Sequence, residues 1–202
     1  ILKGEICALV SDAGMPAISD PGEDLVRECR QADIEIESVP GPTAVATALS
    51  ISGFPTKRFC FEGFLSVDKN ARREHLEEIK TEKRTMVFYE APHKLKATLK
   101  DMLETLGNRE IAIVKELTKI YEDVFITTFE DALKYYDENP PKGEFVVIIK
   151  GANEEKQTYT IEDAVKIAKG LMAKGESASF SAKESAKITG IKKGDIYKEI
   201  LN

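Results

Sequence analysis

The apolar segments 110–116 and 124–129 are separated by seven residues, "LTKIYED". That spacing is too short for a crossover helix, so the two segments must pair as an antiparallel hairpin. Further strand-like runs at 59–64, 85–90 and 144–150 are spaced widely enough for helices at about 71–83, 93–106 and 130–138. Residues 55–152 are therefore expected to form an α/β domain on a mixed sheet.

Upstream, residues 5–10 and 34–39 read as short apolar strands. Between them, Pro21 to Ala32 has helical spacing at Leu25, Val26 and Cys29. This pattern predicts a βαβ unit with a parallel first sheet and a right-handed crossover. Asp20 suits a helix N-cap, Pro21 the first helical position, and Glu23 completes a capping box. A second helix is expected after "VPGPT", started by Pro42, with Ala44 to Ser50 small enough to pack closely on a sheet or ligand. Residues 1–54 supply only two strands and two helices, too few for a sheet with both faces covered, and the chain opens without Met close to a strand. The expectation is a partial first α/β domain with an N-terminal truncation. Gly151 to Gln157 reads as a polar linker, and residues 158–202 as a helical segment with helices at 161–174, about 182–189 and 194–201.

Bulk properties narrow the function classes. The 202 residues are 42% hydrophobic and 32% charged, and no apolar run reaches the ~20 residues of a membrane span. A cytoplasmic protein without membrane contact is expected. Three cysteines at wide spacing and only two histidines argue against a disulfide framework and a metal centre. The net charge of −6 conceals an asymmetry, since residues 158–202 carry eight Lys against six acidic residues. Only the tail leans basic.

The candidate chemistry lies behind the first apolar run, in "LVSDAGMPAISDPG". Ligands of open α/β sheets bind beyond the carboxyl ends of strands, where this loop and "PGPT" are both expected. Gly14 and the small Ala13 permit close backbone approach to a nucleoside or amino-acid moiety. A tight turn without a ligand role meets the same sequence needs. Neither G-x-G-x-x-G nor G-x-x-x-x-G-K-[ST] occurs, so dinucleotide and nucleoside-triphosphate readings have no support.

Taken in order and spacing, "LVSDAGMPAISDPG", "VPGPTAVATALSISG", "RFCFEGFL", "MVFYEAPHKL", "KELTK" and "KGEFVVIIKG" resemble the tetrapyrrole-methylase-like (class III) S-adenosylmethionine-dependent methyltransferases. "YEAPHK" and "ELTK" are most similar to the ribosomal small subunit methyltransferase I branch, which methylates the ribose 2′-oxygen of a cytidine in 16S ribosomal RNA. The resemblance implies two α/β domains, a parallel and then a mixed sheet, with a small C-terminal helical segment. It also implies a homodimer that binds S-adenosylmethionine between its domains and acts on ribosomal RNA or the small ribosomal subunit. Carried over by position, Ala13, Gly14, Met15 and Ile18 would line the methionine end of the cofactor, Thr43 and Ala44 would follow, and Glu90 and Leu117 would close over the adenosine. Met15 stands where the branch usually has threonine. The branch's Pro-Ile-Gly-Asn-Leu and Glu-Asp-Thr-Arg motifs have no counterpart here. The expectation is a chain that lacks part of the active site of its parent enzyme.

Candidates for the base at the ribose hydroxyl are Glu90, His93, Lys115 and Glu116; by itself His93 reads as an exposed residue at a helix start, and the "YEAPHK" resemblance implies a site role instead. His75, in "ARREHLEE", reads as solvated surface. Arg72, Arg73 and Lys94 are candidate RNA contacts, with Lys69, Lys96, Lys115 and Lys119 nearby, although each is also readable as part of a solvated face. Lys192 and Lys193, in a tail spaced like a helix-turn-helix, would contact phosphate without reading bases. The same tail could be a helical cap on the second domain. Two alternative functions stand beside RNA methylation: methylation of a small tetrapyrrole or corrinoid, and a noncatalytic RNA-binding or dimerisation fragment.

Overall fold

One sheet organises the larger part of the chain. A computed structural model describes residues 1–152 and 159–201. Its strands are β1 (Phe59–Phe64), β2 (Thr85–Glu90), β3 (Glu110–Lys115), β4 (Asp123–Thr128) and β5 (Phe145–Ile149), ordered β1-β2-β5-β3-β4. β1 and β2 are parallel, and the remaining pairs are antiparallel. The mixed sheet and the β3–β4 hairpin match the spacing argument, and each strand begins and ends within one residue of its expected limits.

Side chains alternate between two apolar layers, as the strand pleat requires. Met86, Phe88, Ile111, Ile113, Phe145, Val147 and Ile149 face one layer with Leu76 of α3 (Lys69–Glu78), Leu95, Leu99, Met102 and Leu106 of α4 (Pro92–Leu106), and Phe129, Ala132 and Tyr136 of α5 (Phe129–Glu138). Val87, Ala112, Val114, Val146 and Ile148 face the other layer with Val45, Ala48 and Leu49 of α2 (Ala44–Ile51), and with Phe54. Because both faces are covered, β5 reads as the unbroken apolar run "FVVII". Register sets Glu90 opposite Phe145, Phe145 opposite Lys115, and Lys115 opposite Asp123, so these residues form a row along one edge of the sheet.

The amino-terminal segment departs from expectation. Residues 5–10 and 34–39 form no strand ladder, and the described residues contain a single sheet. Ile6, Val10 and Val39 are largely solvent-exposed. A short strand pair lacks independent stability without further strands, and among the described residues no other strand pairs with these segments. Helix α1 (Glu23–Gln31) starts later than expected: Gly22 at φ 132 is its N-cap and no side chain caps it. Asp20 therefore makes no capping box. Downstream, Asp68 caps α3 through the Ala71 N–H at 2.9 Å, starting that helix two residues before its expected position.

The chain divides into two compact units, Ile1–Asn153 and Glu154–Asn202. The second contains α6 (Ile161–Met172), α7 (Ala178–Thr189) and α8 (Lys193–Leu201) around Ala164, Ala168, Ala182 and Ile196. Thr160 and Asp163 form a capping box at α6, and Ser177 starts α7 ahead of the expected position. The Ser185 hydroxyl donates to the Ala164 carbonyl at 2.6 Å. Gly190, left-handed at φ 73, ends α7 at the expected turn. Of the linker expected at Gly151 to Gln157, residues 153–157 lie outside the described residues. Among the described residues, no helix is long and apolar enough to cross a membrane.

Leu99→Ala removes a fully buried side chain between α4 and the sheet. Urea denaturation is expected to show a loss of about 2–5 kcal/mol. Val67→Ala, at a largely exposed position, should stay within about 0.5 kcal/mol of the parent.

Candidate functional site

The loop of residues 11–22 takes its shape from four left-handed positions: Gly14 at φ 76, Ala17 at 64, Ser19 at 57 and Gly22 at 132. The two non-glycine positions cost on the order of 1–3 kcal/mol each, which surrounding contacts must offset. Those contacts reach two other segments. The Met15 N–H donates to the Pro42 carbonyl at 3.1 Å, joining the loop to "PGPT". A Cβ on Gly14 would lie 2.9 Å from that carbonyl oxygen, so only glycine fits. A Cβ on Gly63 of β1 would lie 3.7 Å from the Ser19 hydroxyl, which puts the loop against the sheet edge.

Helix α2 starts beside this junction. The Thr43 hydroxyl caps it by accepting the Ala46 N–H at 3.3 Å. The Val45 N–H donates to the Tyr89 hydroxyl at 3.1 Å, while the Ala44 N–H has no partner among the described residues. Tyr89 is half-buried, with Phe61 and Phe64 edge-on to its ring at 4.9 and 5.5 Å between centroids. Burial pushes its phenol above the ordinary range; the Val45 N–H opposes this rise and the Asp20 carboxylate adds to it. Leu117 packs into the same apolar layer as Val45 and Tyr89. The expected donor-site residues thus fall into two joined groups, Gly14 and Met15 with Pro42, and Thr43, Ala44 and Leu117 around the Val45–Tyr89 contact. Ala13 is exposed and Ile18 half-exposed on the loop.

The four candidate bases differ in what already holds them. Glu90 is buried and both its oxygens are engaged, one accepting the Ala91 N–H at 2.8 Å and the other the Thr98 hydroxyl at 2.5 Å. It braces the turn from β2 into α4. Glu116, at φ 49, exchanges backbone and side-chain hydrogen bonds with Glu144 at 3.0 and 2.8 Å and meets Lys119 at 3.2 Å. These contacts, the Glu144 N–H foremost, hold its carboxyl below the ordinary value. A Cβ on Gly143 would lie 2.6 Å from the Glu116 side chain, so this bracing requires glycine there. His93, exposed in the first turn of α4, and Lys115, half-buried at the end of β3, make no side-chain hydrogen bond or ion pair among the described residues, although the Lys115 charge acts on the Glu116 carboxyl.

Several cations and one histidine have other tasks. Arg72 donates to Asp101 at 2.6 Å and to the carbonyls of Ser66 and Val67, so it ties α3 to α4 and is not a free phosphate contact. Lys96 pairs with Asp137, and Lys119 with Glu116 and Glu144. The side chains of Arg73, Lys94 and Lys192 make no hydrogen bond or ion pair among the described residues, and Lys193 donates to the Ser179 hydroxyl at 3.0 Å. His75 is half-buried and paired with Glu62 at 3.0 Å, correcting its reading as solvated surface. The largest omission from the sequence reading is Tyr89, together with its partners Phe61 and Phe64. The alternation of aromatics in "RFCFEGFL" opposite "VFYE" was the signal that carried them.

Residues 2–133 match the family model of tetrapyrrole (corrin/porphyrin) methylases. The chain is 43% identical over 196 residues to a ribosomal RNA small subunit methyltransferase I of Synechocystis sp., covering 96% of this chain and 70% of the relative. It is 44% identical over 201 residues to the protein of that name from Halalkalibacterium halodurans, covering 98% and 70%. With the one from Escherichia coli O157:H7 it shares 41% over 202 residues, covering 98% and 70%. Among solved structures, the methyltransferase CobJ superposes with a TM-score of 0.54 at 20% identity, covering 69% of this chain and 62% of that one. At that identity the likeness concerns the fold.

Glu90→Ala would leave the Ala91 N–H and the Thr98 hydroxyl without their acceptor, and is expected to cost about 1–3 kcal/mol in urea denaturation. Glu90→Gln keeps an oxygen for the Ala91 N–H and offers its amide to the Thr98 oxygen. It should remain within about 1 kcal/mol of the parent.

Proposed function

Because the chain belongs to the tetrapyrrole (corrin/porphyrin) methylase family, we propose that it is an S-adenosylmethionine-dependent methyltransferase of small-subunit ribosomal RNA, acting on a cytidine ribose 2′-oxygen. The observation that carries the reading is the junction of three segments, made by Met15 N–H to Pro42 and Val45 N–H to Tyr89. It links the 11–22 loop, the start of α2 and the end of β2. Identity above 40% to the Synechocystis and Halalkalibacterium relatives over nearly the whole chain gives the substrate class.

The residues present fit the methyl donor. The close approach at Gly14 excludes a side chain and leaves backbone groups to face a ligand. The unpartnered Ala44 N–H at a helix start suits a carboxylate. Gly14, Met15, Thr43, Ala44 and Leu117 would hold S-adenosylmethionine, with Ala13 and Ile18 on its open side. When bound, that cofactor supplies an electrophilic sulfonium methyl group.

The chain's own task is to align a ribose hydroxyl and take up its proton. Alignment is the larger effect, about 7–11 kcal/mol in favourable intramolecular reactions. A positioned base adds roughly 10²–10⁴-fold. Glu90 and Glu116 are committed to the framework, which makes the neutral imidazole of His93 the group available for the proton, with the Lys115 cation at the same edge to stabilise the developing alkoxide. Arg73, Lys94, Lys192 and Lys193 would engage phosphates. A homodimer and a cytoplasmic location complete the proposal.

The test is transfer of a radiolabelled methyl group from S-adenosylmethionine to naked 16S ribosomal RNA and to assembled small subunits, with alkaline hydrolysis to locate it. Label at an alkali-resistant cytidine linkage is expected. Label appearing only on a corrinoid precursor, or on no substrate, would overturn the reading. Gly14→Ala should weaken donor binding about tenfold in calorimetry, matching the ~1–2 kcal/mol that a non-glycine residue loses in the left-handed region.

A further inference from the structure

We infer that Tyr89 is a positioning residue of the methyl-donor site, holding the start of α2 against the sheet so that its Thr43–Ala44 end stays aligned with the 11–22 loop. The inference rests on the donor-site reading and extends it to a residue outside the donor and acceptor sets.

Tyr89 stands apart from its neighbours on the α2 side of the sheet. The buried strand residues of that layer are Val87, Ala112, Val114, Val146 and Ile148, all apolar. Two β2 residues bring a hydroxyl to that face: Thr85 donates to the Pro55 carbonyl at 2.7 Å at the far end of the strand, whereas Tyr89 lies at the end next to the start of α2. The oxygen meets the Val45 N–H, a first-turn donor that the helix cannot satisfy internally. Thr43 satisfies the Ala46 N–H locally, whereas the Val45 N–H is satisfied from a strand 44 residues away in sequence. A local cap fixes where a helix starts, but a cap supplied by the sheet also fixes where that start lies.

The ring has a constrained position too. Phe61 and Phe64 of β1 meet it edge-on at interplanar angles of 64° and 63°. Because the oxygen accepts from Val45, its own proton remains for an acceptor, and the Asp20 carboxylate of the 11–22 loop acts on the phenol. Tyr89 thus contacts α2 and β1 directly and feels the charge of the loop.

Tyr89→Phe keeps the ring and removes the oxygen. Calorimetric titration with S-adenosylmethionine is expected to show about fivefold weaker binding, the size of one net hydrogen bond. KM for the donor should rise by about the same factor, with kcat at saturating donor and KM for RNA within about twofold of the parent. Amide exchange should accelerate at Val45 and stay unchanged in α4. Tyr135→Phe, on α5 and half-exposed, serves as a control that leaves every quantity unchanged. Parent protein that binds no S-adenosylmethionine would overturn the donor-site reading itself. Parent binding with unaltered affinity in Tyr89→Phe, or a loss falling equally on RNA KM and kcat, would overturn the Tyr89 assignment alone.

Discussion

Burial of one face of α2 against the sheet is the contact on which the rest of the site depends. Val45, Ala48 and Leu49 close over Val87, Ala112, Val114, Val146 and Ile148. Each fully buried valine, leucine or isoleucine of this layer contributes roughly 1.5–3 kcal/mol, and the alanines less. That apolar layer places a helix start at the edge where β2 and β3 end. "PGPT" is carried there with the helix, and through the Pro42 carbonyl so is the glycine-proline loop.

This edge concentrates backbone strain. Ala17 and Ser19 on one side, and Glu116 and Thr118 on the other, adopt left-handed conformations that L side chains rarely take. Such residues persist only where their surroundings over-determine them, and they cluster where ligands bind. The surroundings here are specific: Glu116 is held through Glu144 and Lys119, and the Thr118 N–H is taken by Glu122 at 2.6 Å. Carboxylates near a proposed reaction centre need not take part in chemistry. Glu90 and Glu116 stiffen the two turns at this edge, and their oxygens are already taken by framework contacts.

Much of this architecture was legible in the chain. The inner strands β2, β3 and β5 carry continuous apolar runs because both of their faces are covered, and the brevity of "LTKIYED" dictates the hairpin. Gly14, Pro16, Gly41, Gly53 and Pro55 mark loops as expected. Residues 5–10 and 34–39 misled because strand propensity is local while a strand ladder needs a partner elsewhere. Asp20 and Glu23 have capping-box spacing, but Gly22 offers a positive-φ start that moves the helix past Asp20. Pair choice was also out of reach. That Arg72 meets Asp101, His75 meets Glu62 and Tyr89 meets Val45 depends on which elements the fold brings together. For the same reason, of the candidate site residues, the backbone-mediated positions were better marked than the charged ones. A glycine is chosen for conformation, which sequence reports, and a carboxylate for its neighbours, which it does not.

The claim that the glycine-proline loop and the start of α2 form one methyl-donor site is tested most directly by cross-linking. Radiolabelled S-adenosylmethionine can be photo-activated on the protein and the labelled peptides sequenced. The account predicts label within residues 11–22 and 40–47, displaced by excess unlabelled donor. Displaceable label confined to residues 161–201, with none in those two segments, would contradict it.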